Sequence, residues 1–586
     1  MNPNQPNRLM KDSELLKRAF KYIKPHYKSF LLAFLLLVIN VGLNILLPTL
    51  ISSSADVLRQ ETINFNHVLL IAFTYLLLSL INVVFTFLQS IILQKTGQEI
   101  VLKLRQDVFE HIESLSLSQF NDIPVGKLVT RVTNDTIAVS DMFSTLIVNL
   151  LKNSLTVIIT FVILFVVSWK LTLYMLIFVF FVALFSIIFR TVVTKVFRKE
   201  REELSLMNAF ISENVSGMKV TQVFNQEERK KKEFDIRNKE LRKASFNVTK
   251  AFAFYRPSIS LLYILAQTTL FAIGIPLVEQ GGSFTAPVFL LFYLYLGNFF
   301  EPIQALSDLL NGFQRGFSAT ERIFLLLDEM PHVQDEEDAI EIDGFKGEIV
   351  FDKVWFAYTE NNWILKDVSF KVEAGKTCAF VGKTGAGKTT ILSLIVRNYD
   401  IQKGHIYIDG IDIKKIKIES LRKHIGQMLQ DVFLFSGTVN SNIKLKNEDI
   451  TDEEVKKVCK YVNADRFIEK LSNKYNEEVV EFGSNFSTGE RQLLSFARTI
   501  IRNPSIMILD EATANIDTET ELLIQESLEK MKSIGTMLIV AHRLSTIRNS
   551  DKIIVLEDGR IIEEGNHESL IELGGYYYNL LKVAEN

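Results

Sequence analysis

At 586 residues the chain exceeds one ordinary hydrophobic core, so at least two domains are expected. A hydrophobic share of 48% and a net charge of −3 sit near the soluble average and select no partner class. The two cysteines, Cys378 and Cys459, exclude a disulfide framework and a zinc-binding spacing, and are expected to be buried packing residues in a reducing compartment.

Hydropathy splits the chain. Uncharged runs fall at 29–55, 68–94, 153–169, 171–189, 257–278 and 281–300. Each meets the roughly 17–25 apolar residues that a helix needs to cross a bilayer core. Six such runs would leave a soluble protein no polar surface, so six membrane spans are predicted. The first follows a basic, helix-like opening, "LLKRAFKYIKPHYKSF", and is too long for the apolar core of a signal peptide.

Residues 193–250 carry 14 Lys and Arg, whereas the connections near 56–66, 168–170 and 279–284 hold only Arg59 and Lys170. The positive-inside rule therefore places both termini and the long 95–140 and 193–250 connections in the cytoplasm. "SWKL" is left as a tight outer hairpin between spans three and four. Helical periodicity in "VLKLRQDVFEHIESLSLSQF" and "FRKEREELSLMNAFISENV" predicts helices that run on well below the membrane. Lys152, Arg256 and Glu301 are the ionisable residues close enough to the bilayer to be costly. Snorkelling from a helix end is the favoured account of Lys152 and Arg256, with a place facing the bundle interior or an aqueous cavity as the alternative. Glu301, beside Pro302 in the last span, is the substrate-cavity candidate, with snorkelling as its alternative.

After "ATERIFLLLDEMPHVQDEEDAIEI", where a helix gives way to an acidic linker, strands alternate with helices. "TCAFVGKTGAGKTTILSLIV" carries the spacing Gly382-x4-Gly387-Lys388-Thr389, with an apolar strand entering and an amphipathic helix leaving. That is a phosphate-binding loop. Its glycines let backbone N–H groups face phosphate oxygens, and the helix N-terminus adds a favourable dipole. The nucleotide-binding set is Gly382, Lys383, Thr384, Gly385, Ala386, Gly387, Lys388, Thr389 and Thr390. Within it, Lys388 is expected to reach the β- and γ-phosphates and Thr389 to give an oxygen to Mg2+.

"SIMILDE" reads as a buried strand ending in Asp510 and Glu511. One acid at such an edge can hold Mg2+, and its neighbour can orient or deprotonate the attacking water. His542 ends a further apolar strand, "TMLIVAH". Alone it would be a structural histidine; beside a phosphate loop and paired acids it is a candidate γ-phosphate sensor.

These pieces, in this order, resemble an ATP-binding cassette transporter half of the exporter type, over nearly everything from about residue 14 onward. The resemblance implies a membrane all-α domain of six spans fused to a cytosolic α/β phosphate-loop ATPase domain, working as a domain-swapped dimer of two halves. The implied boundaries are a cytosolic elbow segment at 1–28, a transmembrane domain with two long cytoplasmic loops at 29–315, a linker at 316–345 and the nucleotide-binding domain at 346–586. It further implies that Tyr358 in "VWFAY" stacks on adenine and that Gln430 in "QMLQD" sits near Mg2+ and the attacking water. Asp510 becomes the Mg2+-associated acid, Glu511 the catalytic carboxylate, Asp517 the loop aspartate that crosses between paired domains, and His542 the switch histidine. "SLSLSQFND" and "ISENVSGMKVTQVFNQEE" resemble the two short cytoplasmic helices that transmit motion, and "SATERIFLLLD" the usual exit from the sixth span.

One element departs from the family pattern. Where the signature is usually Leu-Ser-Gly-Gly-Gln, this chain has Phe486-Ser487-Thr488-Gly489-Glu490. In the family, the signature of one domain closes on ATP held by the phosphate loop of the other, so a chain with one such domain must dimerise. Ser487 and Gly489 are kept, while Thr488 adds bulk and Glu490 adds charge. At about 10 Å from a phosphate charge and an effective dielectric of about 20, Glu490 costs roughly 1.7 kcal/mol. The helix dipole returns roughly 0.3–1 kcal/mol, so a weakened site is expected rather than an abolished one.

The resulting expectation is an ATP-driven exporter of amphipathic small molecules in the cytoplasmic membrane, using ATP and Mg2+. Its partners would be membrane lipid and a second half-transporter, a heterodimer being favoured over a homodimer; no nucleic acid is expected. Lipid or glycolipid flipping and peptide export are alternatives of the same architecture, and an ATP-gated channel or regulator is a further one.

Overall fold

The computed structural model describes residues 10–58, 65–279, 284–360, 362–428, 432–445, 447–510, 518–540 and 547–585. Nine helices are introduced first, in chain order: α1 (Asp12–Ile23), α2 (Tyr27–Leu58), α3 (Phe65–Ser114), α4 (Leu117–Asp122), α5 (Val125–Val167), α6 (Trp169–Ser216), α7 (Met218–Val223), α8 (Glu227–Glu279) and α9 (Ala286–Leu327). Two compact units divide the chain, Met1–Glu113 with Gly126–Glu329, and Ser114–Val125 with Met330–Asn586. Helix α4 therefore belongs to the second unit.

Among the described residues of the first unit, six helices are long and apolar enough to cross a membrane, as the hydropathy predicts. Helices α3, α6 and α8 have 50, 48 and 53 residues. At about 1.5 Å per residue each is roughly 70–80 Å long, against a hydrocarbon core of about 30 Å. The excess forms the polar extensions that the periodicity announces. The outer hairpin is tighter than "SWKL" suggests: α5 stops at Val167, Ser168 alone is extended (φ −158°), and α6 starts at Trp169. Helix α9 begins at Ala286, after extended Thr285 and with Pro287 in the first turn, where its missing N–H costs nothing.

Lipid offers no hydrogen-bond partners, and several polar side chains in the spans are matched between helices. Asn40 Nδ2 donates to Gln89 Oε1 (3.0 Å) and Asn82 Nδ2 to Asn44 Oδ1 (3.1 Å), tying α2 to α3. Helices α6 and α8 pair through stacked Phe189 and Tyr255, 3.9 Å apart, with the Tyr255 hydroxyl 2.9 Å from Ser186 Oγ. Between α5 and α9, buried Asp135 accepts from Arg322 Nε (2.9 Å) and Nη2 (2.5 Å). Asp135 ends a π-helical stretch, and a second one, Met142–Leu146, sets Met142 and Leu146 against Gly316 and Gly312. Arg18 of α1 makes a two-pronged bond to Asp328 (2.5 Å each) just beyond α9.

The second unit contains two principal sheets. Strands β1 (Ile349–Ala357), β2 (Trp363–Val372), β3 (Thr377–Val381), β4 (Lys403–Ile408), β5 (Ile411–Asp412) and β6 (Ile425–Met428) come first. A short pair, β7 (Gly437–Thr438) with β8 (Glu478–Val479), precedes β9 (Ile506–Asp510), β10 (Thr536–Val540), β11 (Lys552–Glu557) and β12 (Arg560–Gly565). One sheet has the order β2-β1-β4-β5 and is antiparallel; the other runs β12-β11-β3-β10-β9-β6 and is parallel except at its β12 edge. The side chains of β3 alternate between two cores, Cys378 and Phe380 entering one, Ala379 and Val381 the other. Both cysteines are free and buried, and burial pushes each thiol up to about 12, so neither is a nucleophile.

Among the described residues, Arg397 is the largest fully buried side chain. It reaches Asp400 (3.0 Å) and the carbonyls of Gln334 (2.7 Å), Lys414 and Ile416 (3.3 Å each), sewing the linker to the domain. Arg397→Ala strands these acceptors and is expected to cost about 3–5 kcal/mol, with Arg397→Lys intermediate because it cannot span the fork. The thermal unfolding midpoint of the nucleotide-binding unit measures both.

Candidate nucleotide-binding and signature sites

The phosphate loop follows from what leaves β3. That strand is buried along its whole length and delivers the chain to Gly382. A Cβ at Gly382 would lie 2.2 Å from the Leu556 carbonyl oxygen, so no side chain fits there. Gly387, at φ +101°, is the N-cap of helix α10 (Lys388–Ile395), in a conformation that costs glycine nothing. Lys383, Thr384 and Gly385 are exposed and Ala386 is buried.

Lys388 is buried, and its Nζ donates to the carbonyls of Gly382 (2.8 Å) and Lys383 (3.0 Å). Burial pulls its pKa down, and the Asp510 carboxylate opposes that shift. The ammonium is thus held under the loop that its own backbone forms. Thr389 exposes its side chain in the first turn of α10, while buried Thr390 places Oγ1 3.1 Å from the Tyr358 hydroxyl. The Tyr358 ring, half exposed, stands edge-on to Phe356 and Tyr399, with centroids 4.8 and 5.0 Å away.

Register places the acids. Val540 of β10 pairs with Phe380 of β3 on one side and with Asp510 of β9 on the other, while Met428 of β6 pairs with Leu509. The ends of four parallel strands therefore lie in line with the entry to the phosphate loop. Gln430, Glu511, Asp517 and His542 lie outside the described residues. Glu511 directly follows Asp510, and Gln430 and His542 each come two residues after a strand end at that edge.

The signature lies at the start of helix α11 (Thr488–Ile500). Phe486 is buried and meets Phe467 edge-on, so the larger residue is absorbed by the core. Ser487 and Thr488 are exposed and Gly489 is buried. Glu490 has a role that its charge does not reveal: its Oε2 accepts from the Ser487 N–H (2.8 Å), while Ser487 Oγ accepts from the Glu490 N–H (3.2 Å). This is a reciprocal capping box, and the S-x-x-E spacing is its sequence signal. Arg491 braces the same turn, donating to the Phe486 carbonyl (2.9 Å) and to Thr488 Oγ1 (3.3 Å). In the transmembrane domain, Glu301 is exposed on α9 between buried Phe300 and Pro302, and Lys152 and Arg256 are exposed on α5 and α8.

The capping box separates shape from charge. Glu490→Gln retains the acceptor for the Ser487 N–H and should leave α11 intact; Glu490→Ala removes it and should cost about 1 kcal/mol of local stability. Amide exchange in the first turn of α11, faster only in the alanine variant, is the readout.

The two halves match known proteins separately and together. Residues 30–303 match the ABC transporter transmembrane region, and residues 365–514 match the ABC transporter domain. A probable multidrug resistance ABC transporter ATP-binding/permease protein of Bacillus subtilis is 38% identical over 86% of this chain and 75% of its own length. An ATP-dependent lipid A-core flippase of Syntrophus aciditrophicus is 32% identical over 97% of this chain and 94% of its own. A solved structure of a bacterial Atm1-family ABC exporter with ATP bound is similar at a TM-score of 0.80 and 26% identity, covering 96% of this chain and 98% of that one. On similarity that runs through both halves, the chain belongs to the ABC transporter family, as a multi-pass membrane exporter whose cytosolic domain binds ATP and couples its hydrolysis to transport.

Proposed function

We propose that this chain is one half of a heterodimeric exporter of amphipathic small molecules, supplying the catalytic carboxylate at one site and a weakened signature at the other. The observation that carries the reading is the contrast between two regions. The phosphate loop has its lysine, hydroxyls and adjacent strand-end acid, whereas the signature turn holds a carboxylate fixed beside Ser487. A charge held within the turn cannot swing away from a facing phosphate, which supports the expected weakening.

At the chain's own loop, backbone N–H groups and Lys388 would hold the β- and γ-phosphates. Glu511 would take a proton from water as its oxygen attacks the γ-phosphorus. The bond to the bridging oxygen breaks and ADP leaves. The exposed Thr389 hydroxyl and the Asp510 carboxylate are oxygen donors, the ligand type that Mg2+ prefers, and with Gln430 they would hold that ion. Bound there, Mg2+ would neutralise phosphate charge.

Pairing is supported by two apolar surfaces, one in each unit. Helix α7 exposes Val220, Val223 and the adjacent Phe224, and the second unit exposes a cluster of Phe433, Phe435 and Phe482 with rings about 5 Å apart. A second half-transporter would cover both in a domain-swapped dimer. Cationic amphiphiles suit Glu301 and the interleaved Phe and Tyr around it; the flippase relative supports a lipid substrate as the second reading.

Purified alone, the chain is expected to show at most weak ATPase. Drug-stimulated turnover of about 1 per second or more in a homodimer would refute the unlike-pair reading. Glu511→Gln should retain ATP binding and lower turnover by roughly 100- to 10,000-fold in the complete transporter. Normal hydrolysis in that variant would remove Glu511 from the mechanism.

A further inference from the structure

Helix α4 groups with the nucleotide-binding unit, yet by connectivity it is the turn between the long helices α3 and α5. Gln119 anchors it. Its buried side chain donates through Nε2 to the Met330 carbonyl (3.1 Å) and accepts through Oε1 from the His332 N–H (3.2 Å). Two residues on, Asn121 Nδ2 donates to the Tyr399 hydroxyl over 2.9 Å.

The Tyr399 ring stands edge-on to Tyr358 at 81°, and both rings lean on buried Phe356. The Tyr358 hydroxyl ends the series at Thr390 of α10. None of these five side chains is charged, so the linkage depends on geometry and not on long-range field. Edge-to-face pairs and hydrogen bonds are both orientation-sensitive. A nucleobase stacked on Tyr358 fixes that ring, and Tyr399 keeps its edge contact only by following. Movement of Tyr399 then lengthens or restores its bond to Asn121.

We propose that Tyr399 is a positioning residue that reports base stacking at Tyr358 to α4 through the Asn121 hydrogen bond. The proposal rests on Tyr358 being the adenine platform, and the experiment separates the two.

The full-length chain in lipid nanodiscs is assayed for ATP affinity, by displacement of a fluorescent ATP analogue, and for amide exchange across residues 114–125 with and without ATP. In the unaltered chain, ATP should slow exchange in that segment. Tyr399→Phe should keep ATP affinity within about twofold, since only a hydroxyl remote from the base is lost, yet abolish the ATP-dependent slowing. Asn121→Ala should do the same, and the double variant should add nothing further. Asn121→Asp should preserve the slowing, because a carboxylate accepts from the Tyr399 O–H, but not when combined with Tyr399→Phe. A merely structural role for Tyr399 would not produce that dependence.

The proposal is overturned if Tyr399→Phe retains the slowing, if Asn121→Asp rescues without the hydroxyl, or if bound ATP leaves the unaltered segment unchanged. Tyr358→Ala tests the platform separately. Loss of stacking should weaken ATP by roughly fivefold or more, and unchanged affinity would refute the adenine assignment whatever Tyr399 does.

Discussion

Parallel pairing of β3, β10 and β9 is the constraint on which the ATPase half depends. Parallel strands need both faces covered, and here two separate cores take alternate side chains of β3. With both faces committed, a slip of one residue would exchange the contents of the two cores, so register is strongly held. Register in turn brings Phe380, Val540 and Asp510 level at one edge of the sheet. Lys388 senses Asp510 electrostatically because of that alignment, although the two are far apart in sequence.

The membrane half answers a different solvent with the same requirement, that polar groups be matched. The Tyr295 hydroxyl donates to the Ile45 carbonyl (2.6 Å) and Ser52 Oγ to the Pro287 carbonyl (2.6 Å), both between α2 and α9. Paired Asn40 and Gln89 do likewise between α2 and α3. Such bonds add modest energy in lipid but allow few relative rotations of the helices they join. The Asp135–Arg322 pair has a similar effect lower on α5 and α9, where π-helical turns shift the side-chain register.

Much of this was legible because it is local. Six uncharged runs, a glycine-lysine loop and a strand ending in acids each declare themselves within about twenty residues. The Ser487–Glu490 box was equally local, but a carboxylate in a phosphate-facing signature invites attention to its charge before its reach. Tyr399 lay beyond sequence reasoning: Asn121 is 278 positions away, and no spacing rule joins the short helix α4 to a tyrosine in the bend between α10 and β4. The Asp135–Arg322 pair, 187 positions apart, was hidden for the same reason. Uncharged runs do not mark helix starts, which are set locally, as by Pro287 in the first turn of α9 and extended Ser168 before α6.

Gln119 carries a consequence for how this protein can be divided. The polypeptide crosses between its two units at residues 113–114, 125–126 and 329–330, so the ATPase unit is stitched in at three points rather than hung from one linker. A soluble fragment starting at Met330 would lose the side chain that closes on the Met330 carbonyl and the His332 N–H, and would bare the Tyr399 hydroxyl to water. Such a fragment would be missing part of its own surface. Nucleotide binding measured on it would describe a domain relieved of its connection to the helices that it serves.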